Sequence, residues 1–191
     1  MSESESILPG DSVSTLPYKI IALRHEHTEQ DFRCSQTELA KFFRDDAWKS
    51  EQLGLSRTFV LLIDGYAPVV GYYSLMMGRI TKTDLPKGQV PTMLAQLPVA
   101  VLGKLARDER VPKDKKAGAI LMVDALKRTL AVSTEIGCTG LMLDAKNEGL
   151  VRYYHGNFGL DAVGQTRYPR KMFVSVADLK ASHEAGQSDS G

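Results

Sequence analysis

Apolar residues follow two spacings along the chain, and each spacing predicts a different kind of element. Short runs rich in β-branched and aromatic residues, bounded by turn-forming residues, predict strands, whereas apolar residues three and four apart predict helices. Strands are predicted at residues 18–23, 57–63, 69–80, 98–108, 140–145 and 171–176. Helices are predicted at residues 36–51, from Ala117 through Leu130, and at 147–154, where Gly156 and Gly159 interrupt the last one.

For two of these helices the sequence also predicts a cap or a buried face. Ser35 is the expected N-cap of the first helix, with Glu38 three residues later completing a capping box. The long helix has one continuous apolar face, which we expect to pack on the sheet. Its members are Ala119, Met122, Val123, Leu126 and Leu130.

The stretch from Pro98 to Leu130 joins a buried strand to the long helix through a basic loop at residues 111–119. The first backbone N–H groups of a helix lack internal partners and carry partial positive charge, so a helix start attracts anions. Lys113, Lys115 and Lys116 add full positive charges beside those donors. The sequence therefore predicts that this strand–loop–helix unit holds a phosphate-bearing cofactor.

Length and composition narrow the class of protein. The chain has 191 residues, a formal net charge of +1 and two widely separated cysteines. We expect a mobile tail at residues 1–16, one domain at 17–181 and a frayed tail at 182–191. The small net charge disfavours broad electrostatic binding of nucleic acid, although a local basic face stays possible. Without a membrane-spanning apolar run or a secretion signal, we expect a cytoplasmic protein with no membrane partner.

The order of strand, basic loop, helix, strand, short tyrosine-bearing helix and Phe-Gly-Leu resembles the GNAT acetyltransferases. Within that superfamily it is similar to the bacterial tRNA-acetylating toxins. The stretches that carry the resemblance are FRCSQTELAKFF, SRTFVLLIDGYAPVVGYYSL, LGKLARDERV with AGAILMVDAL, and EIGCTGLMLDAKNEGLVRYYHGNFGL followed by YPRKMFVSVADL. They span about residues 18–180. The resemblance implies an α/β fold of the GNAT kind, with a mixed, mostly antiparallel sheet flanked by helices.

The same resemblance implies acetyl-CoA as cosubstrate. The cofactor-binding residues that it implies are Leu105, Ala106, Arg107, Lys113, Lys115, Lys116, Ala117, Gly118, Ala119 and Asn147. The family's phosphate loop reads Gln/Arg-x-x-Gly-x-Gly/Ala, and the matching positions here hold Lys113, Lys116 and Gly118. A lysine thus replaces one glycine. It either costs about 1–2 kcal/mol at a positive φ or supplies charge to the phosphates.

Tyr154 is the residue to which the resemblance gives the role of general acid. The spacing of Asn-x6-Tyr from Asn147 fits the family's pattern, and a tyrosine is protonated at neutral pH. The interval from Tyr154 to Gly159 is one residue longer than usual, which leaves His155 as a rival donor. No general base is evident. The available carboxylates, for which solvated or capping roles are expected, are Asp108, Glu109 and Asp144.

For substrate and partners, the resemblance implies transfer of acetyl to the α-amine of aminoacyl-tRNA, which blocks translation. It also implies a ribbon-helix-helix antitoxin and a homodimer. The residues expected to bind RNA are Arg167, Arg170 and Lys171, with Tyr168 able to stack on a base. Two alternatives stay open: a GNAT enzyme acting on a protein or small amine, and a non-catalytic GNAT-fold binding module. His25 and His27 have a possible metal spacing but no evident third ligand, so no metal is expected.

Overall fold

The structure, a computed structural model, describes residues 17–66, 68–90 and 93–188. The predicted N-terminal tail at 1–16 lies outside these residues. The described chain divides into two compact units. The lysine-loop unit comprises residues 17–76 and 102–125, and the tyrosine-helix unit comprises residues 77–101 and 126–188.

Seven strands form the sheet, in the order β1-β2-β3-β4-β5-β7-β6. Their bounds are β1 (Tyr18–Ala22), β2 (Arg57–Ile63), β3 (Gly71–Thr81), β4 (Gln96–Arg107), β5 (Gly140–Ala145), β6 (Asp161–Val163) and β7 (Arg170–Ser175). The pairs β1–β2, β2–β3, β5–β7 and β6–β7 are antiparallel. The predicted class, a mostly antiparallel sheet flanked by helices, is confirmed. The short strand β6 was not predicted.

Six α-helices accompany these strands in the described part of the chain. They are α1 (His25–Thr28), α2 (Thr37–Lys41), α3 (Ala47–Gln52), α4 (Ala117–Glu135), α5 (Glu148–Phe158) and α6 (Val176–Ser188). A π-helical segment, Phe42–Asp46, connects α2 to α3, so the predicted helix at 36–51 is confirmed as one helical stretch. Its predicted cap is wrong: the N-cap is Gln36, whose side chain makes no capping hydrogen bond.

The core of the lysine-loop unit is built around buried aromatic rings. Phe43 and Tyr72 are fully buried, with their ring centroids 4.8 Å apart. The Tyr72 hydroxyl donates a 2.7 Å hydrogen bond to the carbonyl oxygen of Leu39. Because the phenol is buried with its polar end satisfied, the helical stretch is held against β3 at a fixed depth.

The buried face of α4 is only partly the predicted one. Met122 and Leu126 are buried as expected, whereas the other three predicted residues are only half-buried. The further fully buried residues are Ala117, Ile120, Leu121, Ala125 and Thr129. The buried face is therefore rotated about the helix axis from the predicted one, and it includes the large residues Ile120 and Leu121 beside the small residue Ala125.

In the tyrosine-helix unit, β5 and β7 pack unusually closely. A Cβ atom added to Gly140 would lie 2.2 Å from the carbonyl oxygen of Val174 and 2.5 Å from the Phe173 ring, so this position requires glycine. The predicted interruption at Gly156 is wrong, because Gly156 lies inside α5. Helix α6 extends to Ser188, and at its start the Ser175 hydroxyl donates to Asp178 at 2.6 Å and accepts from the Asp178 N–H at 3.1 Å.

None of the helices in the described ranges is long and apolar enough to cross a membrane.

Candidate active site

The chain that leaves β4 is held by a buried carboxylate. Asp108 has no exposed surface, and its two oxygens accept hydrogen bonds from the Arg110 side chain at 2.7 and 2.8 Å. The backbone N–H groups of Arg33 and Arg110 donate to it at 3.0 and 2.9 Å. Burial opposes ionisation, but these hydrogen bonds outweigh it and lower the pKa of Asp108. A carboxylate so stabilised in its charged form is a poor general base.

The lysine loop, residues 113–116, connects this segment to α4. Lys113–Lys115 forms a turn of 3-10 helix, and Lys116 follows in the left-handed conformation, with φ 50° and ψ 30°. Among the described residues, Lys116 is the sole non-glycine residue with positive φ. The family's glycine is therefore replaced by lysine at a position that does take a left-handed backbone. Lys113 and Lys116 are exposed, and the Lys115 ammonium lies 3.4 Å from Asp114.

The start of α4 presents backbone donors to open space. Within the described chain, the N–H groups of Ala117 and Gly118 have no acceptor, whereas the Ala119 N–H donates to the Lys116 carbonyl oxygen at 2.8 Å. A Cβ atom added to Gly118 would meet nothing within 4 Å. Free donors, helix polarity and nearby lysines suit an anionic group such as a diphosphate.

Strand β4 ends at the predicted pantetheine-binding residues, whose side chains have other contacts. Ala106 is buried, Leu105 is half-buried, and the Arg107 guanidinium donates a 2.7 Å hydrogen bond to the Val111 carbonyl oxygen. Arg107 therefore fastens the start of the loop through its side chain. The contact of these three residues with a ligand stays a prediction.

In the tyrosine-helix unit, α5 carries two of the predicted site residues. The Asn147 side chain is the N-cap of α5 and accepts a 3.0 Å hydrogen bond from the Leu150 N–H. Tyr154 lies one turn before the end of the helix and is half-buried, beside Tyr153 and Phe158. Burial, reinforced by Tyr153, raises the pKa of Tyr154 to about 12. No described residue hydrogen-bonds its hydroxyl.

His155, the rival donor, points elsewhere. Its imidazole is exposed, and Nδ1 lies 3.2 Å from the Asp161 carboxylate and 3.3 Å from the Leu160 carbonyl oxygen. The hydroxyl of Tyr154 is thus the better sheltered of the two proton donors. The other carboxylates considered from the sequence, Glu109 and Asp144, are both exposed.

The predicted RNA-binding residues lie just before and within β7. Arg167 is exposed, and the Lys171 ammonium lies 3.4 Å from Asp84. Arg170 is half-buried, and its buried Nε has no hydrogen-bond partner among the described residues. The Tyr168 hydroxyl donates to Glu148 at 2.5 Å, which fixes the ring beside the start of α5.

The histidine pair makes no metal site. Nδ1 of His27 accepts a 3.0 Å hydrogen bond from the Arg24 N–H, and burial lowers the pKa of His27. His25 is exposed and lies 3.5 Å from Glu29. No cluster of three His, Cys, Asp or Glu side chains suited to a metal occurs in the part of the chain that the structure describes.

Solved structures share the architecture of this chain and define its fold. AtaT complexed with acetyl-methionyl-tRNAfMet matches with a TM-score of 0.74 and 21% identity, over 86% of this chain and 98% of that one. An AtaT variant bound to acetyl-CoA and the C-terminus of the antitoxin AtaR matches with a TM-score of 0.67 and 19% identity, over 86% and 97%. The fold is that of the GNAT N-acetyltransferases.

Two relatives narrow this class, although no family model matches the chain. The tRNA-acetylating toxin of Mycobacterium tuberculosis is 30% identical over 151 residues, which are 78% of this chain and 87% of that protein. The protein named "Probable toxin TacT" in Sinorhizobium fredii is 24% identical over 166 residues, which are 82% and 90%. The chain belongs to the family of tRNA-acetylating toxins.

Proposed function

We propose that the chain transfers acetyl from acetyl-CoA to the α-amine of aminoacyl-tRNA and so blocks translation as a toxin. The observation that carries this proposal is the 30% identity over 151 residues to a tRNA-acetylating toxin. The AtaT complexes with acetyl-methionyl-tRNAfMet and with acetyl-CoA support the same substrate and acyl donor. Residues 17–181 would act as a single acetyltransferase domain.

The start of α4 would bind the diphosphate of acetyl-CoA. The free N–H groups of Ala117 and Gly118 would donate to its oxygens, and Lys113, Lys115 and Lys116 would supply charge. The absence of a side chain at Gly118 allows the close approach that such hydrogen bonds need. The backbone of Leu105, Ala106 and Arg107 would hold the pantetheine arm. Ala119 and Asn147 are the remaining residues that we propose as contacts of the acyl donor.

Tyr154 would supply the proton in the last step. Acetyl-CoA provides a thioester whose carbonyl carbon is attacked by the amine, and the thiolate that leaves must be protonated. With a pKa of about 12, the Tyr154 hydroxyl is protonated across the physiological range. Because its hydroxyl has no described partner, it is free to donate. An α-amine of modest pKa can lose its own proton to water, so no dedicated base is required.

The RNA and the protein partners would use other surfaces. Arg167, Arg170 and Lys171 would contact phosphates, with the Lys171 ammonium leaving Asp84 to do so, and Tyr168 would stack on a base. A ribbon-helix-helix antitoxin would neutralise the toxin, as AtaR pairs with AtaT. We further propose a homodimer that acts in the cytoplasm, where aminoacyl-tRNA is found.

Labelled acetyl-CoA tests the proposed reaction. The purified protein is incubated with the label and with total aminoacyl-tRNA, the same tRNA after deacylation, or total protein. We expect label in charged tRNA alone, recovered as N-acetyl-amino acid after alkaline hydrolysis of the ester. Label in protein instead would favour a protein acetyltransferase, and stable binding of a partner without any transfer would favour a non-catalytic module.

Two tyrosine variants test the proposed acid. Tyr154→Phe removes one hydroxyl from a half-buried ring, and we expect kcat to fall by about 100-fold or more while acetyl-CoA affinity and thermal unfolding stay unchanged. Tyr153→Phe, the matched control on the neighbouring residue, should keep its activity. His155→Gln should also stay active. Loss of turnover in His155→Gln with full activity in Tyr154→Phe would reverse the assignment.

A further inference from the structure

The contacts of Asp108 join two segments of the lysine-loop unit that are far apart in the sequence. Its oxygens bind the Arg110 guanidinium on one side and the backbone N–H of Arg33 on the other. The Glu109 N–H donates back to the Arg33 carbonyl oxygen at 2.9 Å. Arg110 also donates to the carbonyl oxygen of Asp31. We call Asp108, Arg110 and the backbone of Arg33 the carboxylate clamp.

The clamp fixes the chain at the point where it enters the lysine loop. The Val111 N–H donates to the Asp108 carbonyl oxygen at 3.2 Å, and the Val111 carbonyl oxygen accepts from Arg107 at 2.7 Å. Every residue from Arg107 to Val111 is therefore tied by a hydrogen bond. Any change in the direction of this segment would move the lysine loop and the first N–H groups of α4.

Stability alone does not account for this pairing of a buried carboxylate with an arginine whose side chain is 41% exposed. The carboxylate loses its hydration on burial, whereas solvent screens the attraction of an exposed partner, so the pair contributes little net stability. What directional hydrogen bonds provide is a defined geometry. We propose that Asp108 and Arg110 are positioning residues that orient the lysine loop for the diphosphate of the acyl donor, an inference that rests on the proposed function.

Two acyl donors separate positioning from general damage. S-Acetylpantetheine carries the same thioester as acetyl-CoA but lacks the diphosphate that the lysine loop would bind. In Asp108→Asn we expect kcat/KM for acetyl-CoA to fall at least about tenfold more than kcat/KM for S-acetylpantetheine. A variant that is merely less folded would lose both activities in equal proportion, and that result would overturn the proposal.

The chain offers a matched control for this substitution. Asp45 receives the same forked pair of hydrogen bonds from Arg44, at 2.8 and 3.2 Å, but on the exposed surface. Asp45→Asn should leave the preference between the two donors unchanged. Arg110→Lys keeps the positive charge but cannot donate the paired hydrogen bonds of the guanidinium. It should lose the preference for acetyl-CoA over S-acetylpantetheine even if Asp108→Asn fails to fold. An unchanged preference in Arg110→Lys would also overturn the proposal.

Hydrogen exchange tests the clamp without any substrate. In the clamp variants, amides of residues 109–119 should exchange faster than in the native protein, whereas amides of α5 should not. If the native protein uses neither donor, the proposed function fails, and faster exchange would still show that the clamp orders the loop. Unchanged exchange at residues 109–119 would refute the clamp's role whatever the activity.

Discussion

Lys116 provides a quantitative test of the site, because two substitutions together distinguish the effect of its backbone strain from the effect of its charge. A non-glycine residue in the left-handed region costs about 1–2 kcal/mol, and Lys116 has φ 50°. Glycine avoids that cost but adds about 0.5–1 kcal/mol of conformational entropy to the unfolded chain. Lys116→Gly should therefore stabilise the protein by about 0.5–1 kcal/mol, or about 1–3 °C in Tm for a chain of this size.

Lys116→Ala removes the charge and keeps the strain, so the difference in stability between Lys116→Gly and Lys116→Ala measures the cost of the left-handed backbone. Thermal unfolding should place Lys116→Gly above Lys116→Ala by about 1 kcal/mol. At Lys113, which is outside the left-handed region, the order should invert, with alanine the more stable. If glycine is no better than alanine at Lys116, the strain argument is refuted. In calorimetric titration, both Lys116 variants should bind acetyl-CoA a few-fold more weakly at low salt, with the deficit shrinking at high salt.

Three further changes test other parts of the description. Asn147→Ala should lower the free energy of unfolding by about 1 kcal/mol through loss of the α5 cap, whereas Asn147→Asp, which can still cap, should not. Gly140→Ala should lower the free energy of unfolding by about 3 kcal/mol or more, because its Cβ would overlap a β7 carbonyl oxygen. Gly137→Ala should not have this effect, because its Cβ would meet nothing within 4 Å. Because folding lowers the pKa of Asp108, its contribution to stability is full above about pH 4 and is lost as the pH falls further, so acid titration should narrow the gap between native protein and Asp108→Asn.

Contradictory outcomes for these three are equally specific. If the native protein and Asn147→Ala have equal free energies of unfolding, the capping role of Asn147 is refuted and ligand binding is its one remaining proposed role. Parallel acid-unfolding curves for Asp108→Asn and the native protein would mean that this carboxylate has the same proton affinity in both states. A stable Gly140→Ala would contradict the close pairing of β5 with β7.

The sequence was sufficient where the pattern is local. Strands β2 and β5 begin and end where their apolar runs do, because turn-forming residues bound both runs. Helix α4 begins at Ala117 as predicted, directly after the lysines. The helix start, the loop charge and the glycine at 118 can therefore all be identified from the order of the residues alone.

The features that the sequence analysis missed have different causes. The contact of Asp108 with the Arg33 backbone could not be predicted, because the two residues are 75 positions apart. Gly156 was expected to break α5, but glycine costs only about 1 kcal/mol in a helix, and the buried residues Val151 and Phe158 outweigh it. The start of α6 could have been found, since Ser175 followed by Asp178 has the spacing of a capping box.

The choice between Tyr154 and His155 shows how spacing in the sequence and exposure in the structure combine. Counting forward from Asn147 selects Tyr154, which the sequence analysis preferred, whereas counting back from Gly159 leaves His155 as a rival. Asn147 caps α5 and Gly159 ends it in the left-handed conformation, so the helix is continuous between them. Neighbouring residues on a helix point about 100° apart, and here Tyr154 is half-buried whereas the His155 side chain is 65% exposed. Tyr154 is the more sheltered of the two residues, and the contact with Asp161 holds the His155 imidazole at the surface, so Tyr154 stays the proposed acid.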